Sequence, residues 1–140
     1  MTNENCLFCK IANGEIPAQK VYENEDVVAF LDINPVNAGH TLVIPKDHFE
    51  HMLEAPKSVF LKTMEAVHLL SPIIKEATDA DGINIGINTL PAAGQEVFHL
   101  HVHIMPRFEG DGHKHWSGTP YKSEEEMKTV ADRIRKRLEQ

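Results

Sequence analysis

The 140-residue sequence has no apolar run of 18 residues, no surplus of basic charge and only two cysteines. Each shortage excludes something. Without a long apolar run there is no membrane-spanning helix to expect. No basic-then-apolar leader argues for export, so the expected location is the cytoplasm. With 14 Lys and Arg against 21 Asp and Glu, a formal charge of −7 argues against a protein that coats nucleic acid, which needs a basic face. A mononucleotide in a pocket stays compatible, because amides, helix ends and histidines hold phosphate locally. Two cysteines cannot make a disulfide framework, and a chain of this length builds its own core without one. Repeats and low-complexity tracts are missing too. The rest, 41% apolar and 25% charged residues, is the composition of one soluble globular domain.

Against that plain background one stretch stands out: His99-Leu100-His101-Val102-His103-Ile104-Met105-Pro106, three histidines at period two. On a strand, alternate side chains share a face. The three imidazoles then project from one side, while Leu100, Val102 and Ile104 enter a core from the other. Packing rarely gives a whole strand face to one titratable residue type, and a purification tag would be contiguous, terminal and without interleaved Leu and Val. Nor can a straight strand bring all three rings to one metal. Residues i and i+4 lie about 13 Å apart along it, whereas Zn–N bonds are about 2.0–2.1 Å. At least one imidazole is left for nucleophilic or acid–base work near neutral pH.

A second pattern, Cys6-Leu7-Phe8-Cys9, has the C-x-x-C spacing that lets two thiolates share a tetrahedral Zn2+. A thioredoxin-like redox pair follows a strand, for which this position leaves no room, and a disulfide is disfavoured in the cytoplasm. Reduced spectator thiols are the plain alternative.

The periodicities predict an α+β domain. A short capped N-terminal segment precedes strands over residues 20–23 and 27–31, joined by an Asn24-Glu25-Asp26 turn. A third, buried strand spans Thr41 to Ile44 and closes at Pro45. Ser58 to Ala77 carries a helical apolar stripe, with Pro72 expected to bend or shorten it. Strands from Ile83 to Asn88 and from Val97 to Met105 complete five, and residues 89–94 join them across the mouth of the histidine face. After a polar loop over 110–121, residues 123–139 read as a helix. Ser123 caps it, three glutamates open it and basic residues close it. Its stripe of Met127, Val130, Ala131, Ile134 and Leu138 is expected to face the core or a partner.

The histidines lie between Gly94-Gln95-Glu96-Val97-Phe98 and Pro106-Arg107. Further blocks read Cys6-Leu7-Phe8-Cys9-Lys10-Ile11, Gly14-Glu15-Ile16-Pro17, Ala29-Phe30-Leu31-Asp32-Ile33 and Gly39-His40-Thr41-Leu42-Val43-Ile44-Pro45-Lys46. In this order, over about residues 6 to 107, they resemble the histidine-triad (HIT) superfamily of nucleotide hydrolases and transferases. The small bacterial and histidine-triad-nucleotide-binding branch is the nearest likeness. The resemblance implies the HIT fold, with a five-stranded, mainly antiparallel sheet, one long central helix and a C-terminal helix. Residues 1–107 would form the HIT domain and 108–140 a loop and helix packed on it. Relatives of this kind pair as homodimers whose sheets join, and the same is expected here.

The resemblance also implies roles. His101 would attack the α-phosphorus and carry a nucleotidyl group that water then removes. His103 would touch the phosphoryl oxygens or pass a proton to the leaving group, and His40 would brace the site. His48 and His99 would join Cys6 and Cys9 in a closed Cys2His2 shell, one structural Zn2+ per chain, with no open position for water. Asp32 would accept hydrogen bonds from the ribose, with Ile33 and Leu42 lining the base. Asn88 and Gln95 would donate amide N–H groups to phosphate, joined by backbone N–H groups near Glu96 and Val97. Glu96 stands where many relatives carry Ser or Thr, so its carboxylate is expected to face solvent. His113, His115 and Trp116 lie in a loop that is either plain surface or a contact for the leaving group.

The expected function is hydrolysis of nucleoside phosphoramidates or related nucleoside monophosphate derivatives, a purine nucleotide-type small-molecule substrate, with release of AMP or GMP. Pro106-Arg107 stands where the nucleotide-binding branch often has glycines, which keeps a dinucleoside polyphosphate hydrolase in view. A zinc-stabilised nucleotide-binding scaffold dimer with little turnover, and a metallohydrolase, are the readings from other classes.

Overall fold

Two apolar pentapeptides, Val-Val-Ala-Phe-Leu and Thr-Leu-Val-Ile-Pro, are buried along nearly their whole length. They form the middle of the sheet in the computed structural model, which describes residues 2–140. The elements are α1 (Leu7–Ala12), β1 (Lys20–Glu23), β2 (Val27–Leu31), β3 (Thr41–Pro45), α2 (Lys57–Ala77), β4 (Gly82–Gly86), a 3-10 turn (Pro91–Ala93), β5 (Val102–Arg107) and α3 (Glu124–Leu138). The strand order is β1-β2-β3-β5-β4, and every neighbouring pair is antiparallel. The fold is α+β.

Because side chains alternate along a strand, β2 and β3 serve two layers. Val27, Ala29 and Val43, with Val102 and Ile104 of β5, meet Ala66, Val67, Leu70 and Ile74 of α2. On the opposite face Val28, Phe30, Leu42 and Ile44 meet Phe8 and Ile11 of α1. His103 pairs with Leu42 on one side and Gly86 on the other. It therefore sits on the α1 face, where the short helix ends and the sheet opens toward its β4 edge.

The turn between β1 and β2 is built by Asn24, whose Oδ1 accepts from the N–H groups of Asp26 and Val27, both at 2.8 Å. Gly39 has φ +97°, and a Cβ there would overlap the Thr78 methyl beyond α2. Only glycine lets this loop lie against the helix end and deliver His40 into the site.

Four expectations are corrected. β5 begins at Val102, not Val97, because the Leu100 N–H is drawn away to the Phe49 carbonyl at 2.7 Å. His99 lies in a bend and His101 just ahead of the strand, so only His103 is a ladder residue. β4 ends at Gly86, two residues early. Of the two effects expected of Pro72, shortening is absent: α2 runs 21 residues through it. Pro72 and His68, the residue four back whose carbonyl loses its donor, are both exposed, so water can serve that group. Buried Leu70 and Ile74 hold the helix on either side.

α3 is capped as expected, the Ser123 Oγ accepting from the Glu126 N–H at 3.0 Å. It contributes no buried residue, and Met127, Ile134 and Leu138 stand 49%, 57% and 79% exposed. Among the described residues no helix is long and apolar enough to cross a membrane.

Candidate active site and metal centre

The period-two pattern holds where the ladder does not. Leu100, Val102 and Ile104 are fully buried, while the rings of His101 and His103 lie together on the other side, centroids 5.0 Å apart. Phe8 sets an edge against His101, with centroids at 5.1 Å and planes at 85°. The His101 Nδ1–H donates to the His99 carbonyl at 2.7 Å. That bond fixes the tautomer and leaves Nε2 with its lone pair unprotonated. Burial pushes the His101 pKa down, against the smaller upward pull of the carbonyl. The ring is thus neutral near pH 7 with one nitrogen free to attack.

A second chain of contacts sets His103. The Val36 N–H donates to His40 Nδ1 at 3.0 Å, so the proton of neutral His40 is on Nε2. That nitrogen faces His103 Nδ1 at 2.9 Å, which must accept, and the proton of His103 is left on its own Nε2. This Nε2–H is buried and has no partner. A buried donor without an acceptor is costly unless a ligand supplies one. Burial holds the His103 pKa down to about 4, with His101 and His40 adding in the same direction, and lowers His40 as well. An Asp32 carboxylate oxygen lies 3.7 Å from His40 Nε2, placed to stabilise positive charge on the pair.

The C-x-x-C pair starts α1. Cys6 is its N-cap, and its sulfur accepts from the Cys9 N–H. His99 Nδ1 lies 3.3 Å from Cys6 Sγ and 3.5 Å from Cys9 Sγ. His48 Nδ1 lies 3.4 Å from Cys9 Sγ and 3.2 Å from His99 Nδ1. A tetrahedral zinc with ordinary bond lengths has S···N edges of roughly 3.5 Å and an N···N edge of roughly 3.3 Å. The four donors, all within 4.8 Å of one another, match that polyhedron. The His99 Nε2–H donates to the Pro45 carbonyl at 2.8 Å, which turns the Nδ1 lone pair toward the sulfurs, as a carbonyl behind a metal-bound histidine does. Burial pushes the Cys9 thiol up, a shift that a cation would reverse on taking it as thiolate. The residues fit a Zn2+ ion, and the shell they make is closed.

The residues expected around the nucleotide separate into groups. Asp32 ends β2, accepts the Asn34 N–H at 2.8 Å and faces His40. Ile33 beside it is fully exposed, and Leu42 lies buried under α1 at 5% exposure. Val97 packs against the same α1 cluster. Asn88 lines a cleft with His40 and His103. The Glu96 side chain is exposed, as expected.

Gln95 departs from its expected place. Its Nε2 donates to the Glu50 and Val97 carbonyls, at 2.6 and 3.1 Å, and its Oε1 accepts from the Leu90 N–H at 2.8 Å. With every amide function engaged it braces the loop instead of facing a phosphate. Leu90 is there held at φ +73°, a strained conformation for a branched residue.

Sequence reasoning did not reach the lock formed by Arg107 and Asp111. Arg107 Nε and Nη2 donate to the two Asp111 oxygens at 2.7 and 2.9 Å. The guanidinium beside it, with the Phe108, His113 and Asn37 donors, holds the Asp111 carboxyl well below the usual range. An Arg and an Asp four apart are the only signal, and that spacing is common on any surface.

The HIT domain family model matches residues 13–110. The Bacillus subtilis protein hit is 42% identical over 142 residues, covering 96% of this chain and 95% of its own. The adenylylsulfatase HINT3 of Arabidopsis thaliana is 45% identical over 107 residues, 76% of this chain and 54% of that protein. Among solved structures, SMU.412c from Streptococcus mutans superposes with a TM-score of 0.93 at 41% identity, covering 98% of this chain and 87% of its own. A Zn-bound histidine triad family protein from Mycobacterium smegmatis gives a TM-score of 0.75 at 34% identity, over 94% and 96% of the two chains. With the triad, its bracing histidine and its Cys2His2 cluster set on this sheet, the chain belongs to the HIT family.

Proposed function

We propose that the protein hydrolyses nucleoside phosphoramidates or related nucleoside monophosphate derivatives by two displacements at the α-phosphorus. The observation that carries this reading is the opposed pair of tautomers: His101 presents an unprotonated Nε2 and its neighbour His103 presents Nε2–H. One is a nucleophile and the other a donor. His101 Nε2 forms a bond to phosphorus as the bond to the leaving group breaks. His103 Nε2–H hydrogen-bonds the phosphoryl or bridging atom as charge develops there. A bound phosphate raises the proton affinity of the His40–His103 pair. The pair, beside Asp32, takes a proton from solvent and passes it to the departing amine. Water then attacks the nucleotidyl-His101, the pair accepts the water's proton, imidazole leaves and AMP or GMP is released.

Asp32, with Ile33 beside it, would hold the ribose and base, and Asn88 with the Val97 backbone the phosphate. Cys6, Cys9, His48 and His99 would hold one Zn2+, which supplies rigidity and no open coordination position. Two relatives, an adenylylsulfatase and a Zn-bound triad protein, support the nucleotide and the metal halves of this reading. A panel of adenosine and guanosine phosphoramidates and diadenosine polyphosphates, run with wild type and His101→Ala, tests it. Wild-type turnover that the substitution abolishes is expected. Binding without turnover by wild type, or more than a tenth of the activity retained by the variant, would overturn it.

A further inference from the structure

The cleft that His40 and His103 open into, about 530 Å3, continues to a wall made by the loop after β5. That loop is held in place. Arg107 ties it by the two bonds to Asp111 and by Nη2 to the His113 carbonyl at 3.0 Å, and reaches Asn84 Oδ1 at 2.6 Å. The His113 Nε2–H donates to the Val36 carbonyl at 2.9 Å. The other side of that same residue, its N–H, sets the His40 tautomer. The wall is therefore registered to the reacting histidines and not merely near them.

Its charge is one-sided. Acidic residues are 21 of 140 in this chain, so the fifteen residues lining the cleft should include about two; they include none. Arg107 is neutralised by Asp111, which leaves Lys114, next to His115 in the wall, as the open cation of the cleft. Among the described residues no carboxylate forms an ion pair with Lys114.

We propose that Lys114 is a specificity determinant that favours anionic leaving groups, those joined to the α-phosphorus through oxygen as sulfate or further phosphate, over uncharged amines. The proposal rests on the two-displacement reading and narrows it. As the P–O bond breaks, negative charge grows on the departing oxyanion, which leaves without needing a proton. A cation on the cleft wall that can reach that oxygen lowers the barrier. A departing amine presents no such charge, so Lys114 has nothing to stabilise.

The test compares kcat/KM for adenylyl sulfate and diadenosine polyphosphate with that for an adenosine phosphoramidate bearing an uncharged amine. Lys114→Ala should lower the anionic-to-neutral ratio about fivefold, the upper range for an exposed ion pair, and Lys114→Glu should lower it further. Lys114→Arg should restore it. At 1 M salt, where the screening length is about 3 Å, wild type should lose much of the preference. Lys62→Ala, on the α2 side of the sheet, removes the same charge and should leave the ratio unmoved. Sulfate and phosphate arms that fall together mark a general anion site, and a fall in one alone names the leaving group. Equal loss for anionic and neutral substrates, no change in either, or a ratio indifferent to salt would overturn the proposal. Activity that survives His101→Ala would instead overturn the two-displacement reading, so the two failures are distinguishable.

Discussion

Stripping the proposed zinc is a perturbation whose direction follows from the placement of its four donors and whose magnitude follows from binding linkage. The four donors tie the start of α1 (Cys6, Cys9) to the bend before β5 (His99) and to the segment after β3 (His48). α1 is also anchored by Phe8 and Ile11, 5% and 7% exposed in the apolar cluster. Metal loss should therefore weaken the fold without abolishing it. For a ligand a thousandfold above its dissociation constant, linkage gives about 4 kcal/mol. A chain of 140 residues has an unfolding entropy of roughly 0.3 kcal/mol/K, so that loss lowers Tm by about 14 °C. Calorimetry with and without chelator, and on Cys9→Ser, reads the shift. Elemental analysis should find one zinc per chain beforehand. Turnover at 25 °C should outlast the metal, because the His99 carbonyl and Phe8 still hold His101. Loss of turnover in a chain that stays folded would mean metal-bound water does the chemistry. A Tm that does not move on chelation would mean that the cluster holds no structural metal.

Two further outcomes follow from the site. Asp32→Ala should weaken ribonucleotide binding by about 1.5–3 kcal/mol, the range for a hydrogen bond to a charged group, while a deoxyribose analogue binds wild type and variant almost alike; additive losses in a four-way titration would show that Asp32 does not read the ribose. His103 is held down to about 4 by burial, so between about pH 6.5 and 4 the unfolded chain binds more protons than the native one. Stability is then complete above about 6.5 and falls as pH drops toward 4. Asp111, lowered by Arg107, keeps its contribution throughout that window. Urea unfolding across the window measures the slope, and His103→Gln should flatten it; an unchanged slope would contradict the burial argument.

Much of this was legible from residue order, for reasons that differ by element. The hairpin at Asn24 and the cap at Ser123 are local: the side chain that makes each turn bonds within three residues. The alternation around the triad outlives the ladder because packing keeps it: the His99 and His101 rings lie beside Phe8 of α1, while Val102 and Ile104 enter the core under α2. What escaped depends on distant partners. Leu100 is pulled out of β5 by Phe49, and Gln95 is engaged by Glu50. The tautomer of His103 is decided by a backbone N–H at Val36. No spacing rule encodes those meetings. The stripe of α3 shows the converse: periodicity marks an apolar face without saying whether anything covers it.

The most direct measurement is rapid chemical quench of wild-type protein with an adenosine phosphoramidate labelled in the nucleotide, followed by mapping of the labelled peptide. AMP covalently attached at His101 through Nε2 is expected within the first turnover, and none in His101→Ala. Label absent from wild type during active turnover, or attached to His99 or His103, would contradict it.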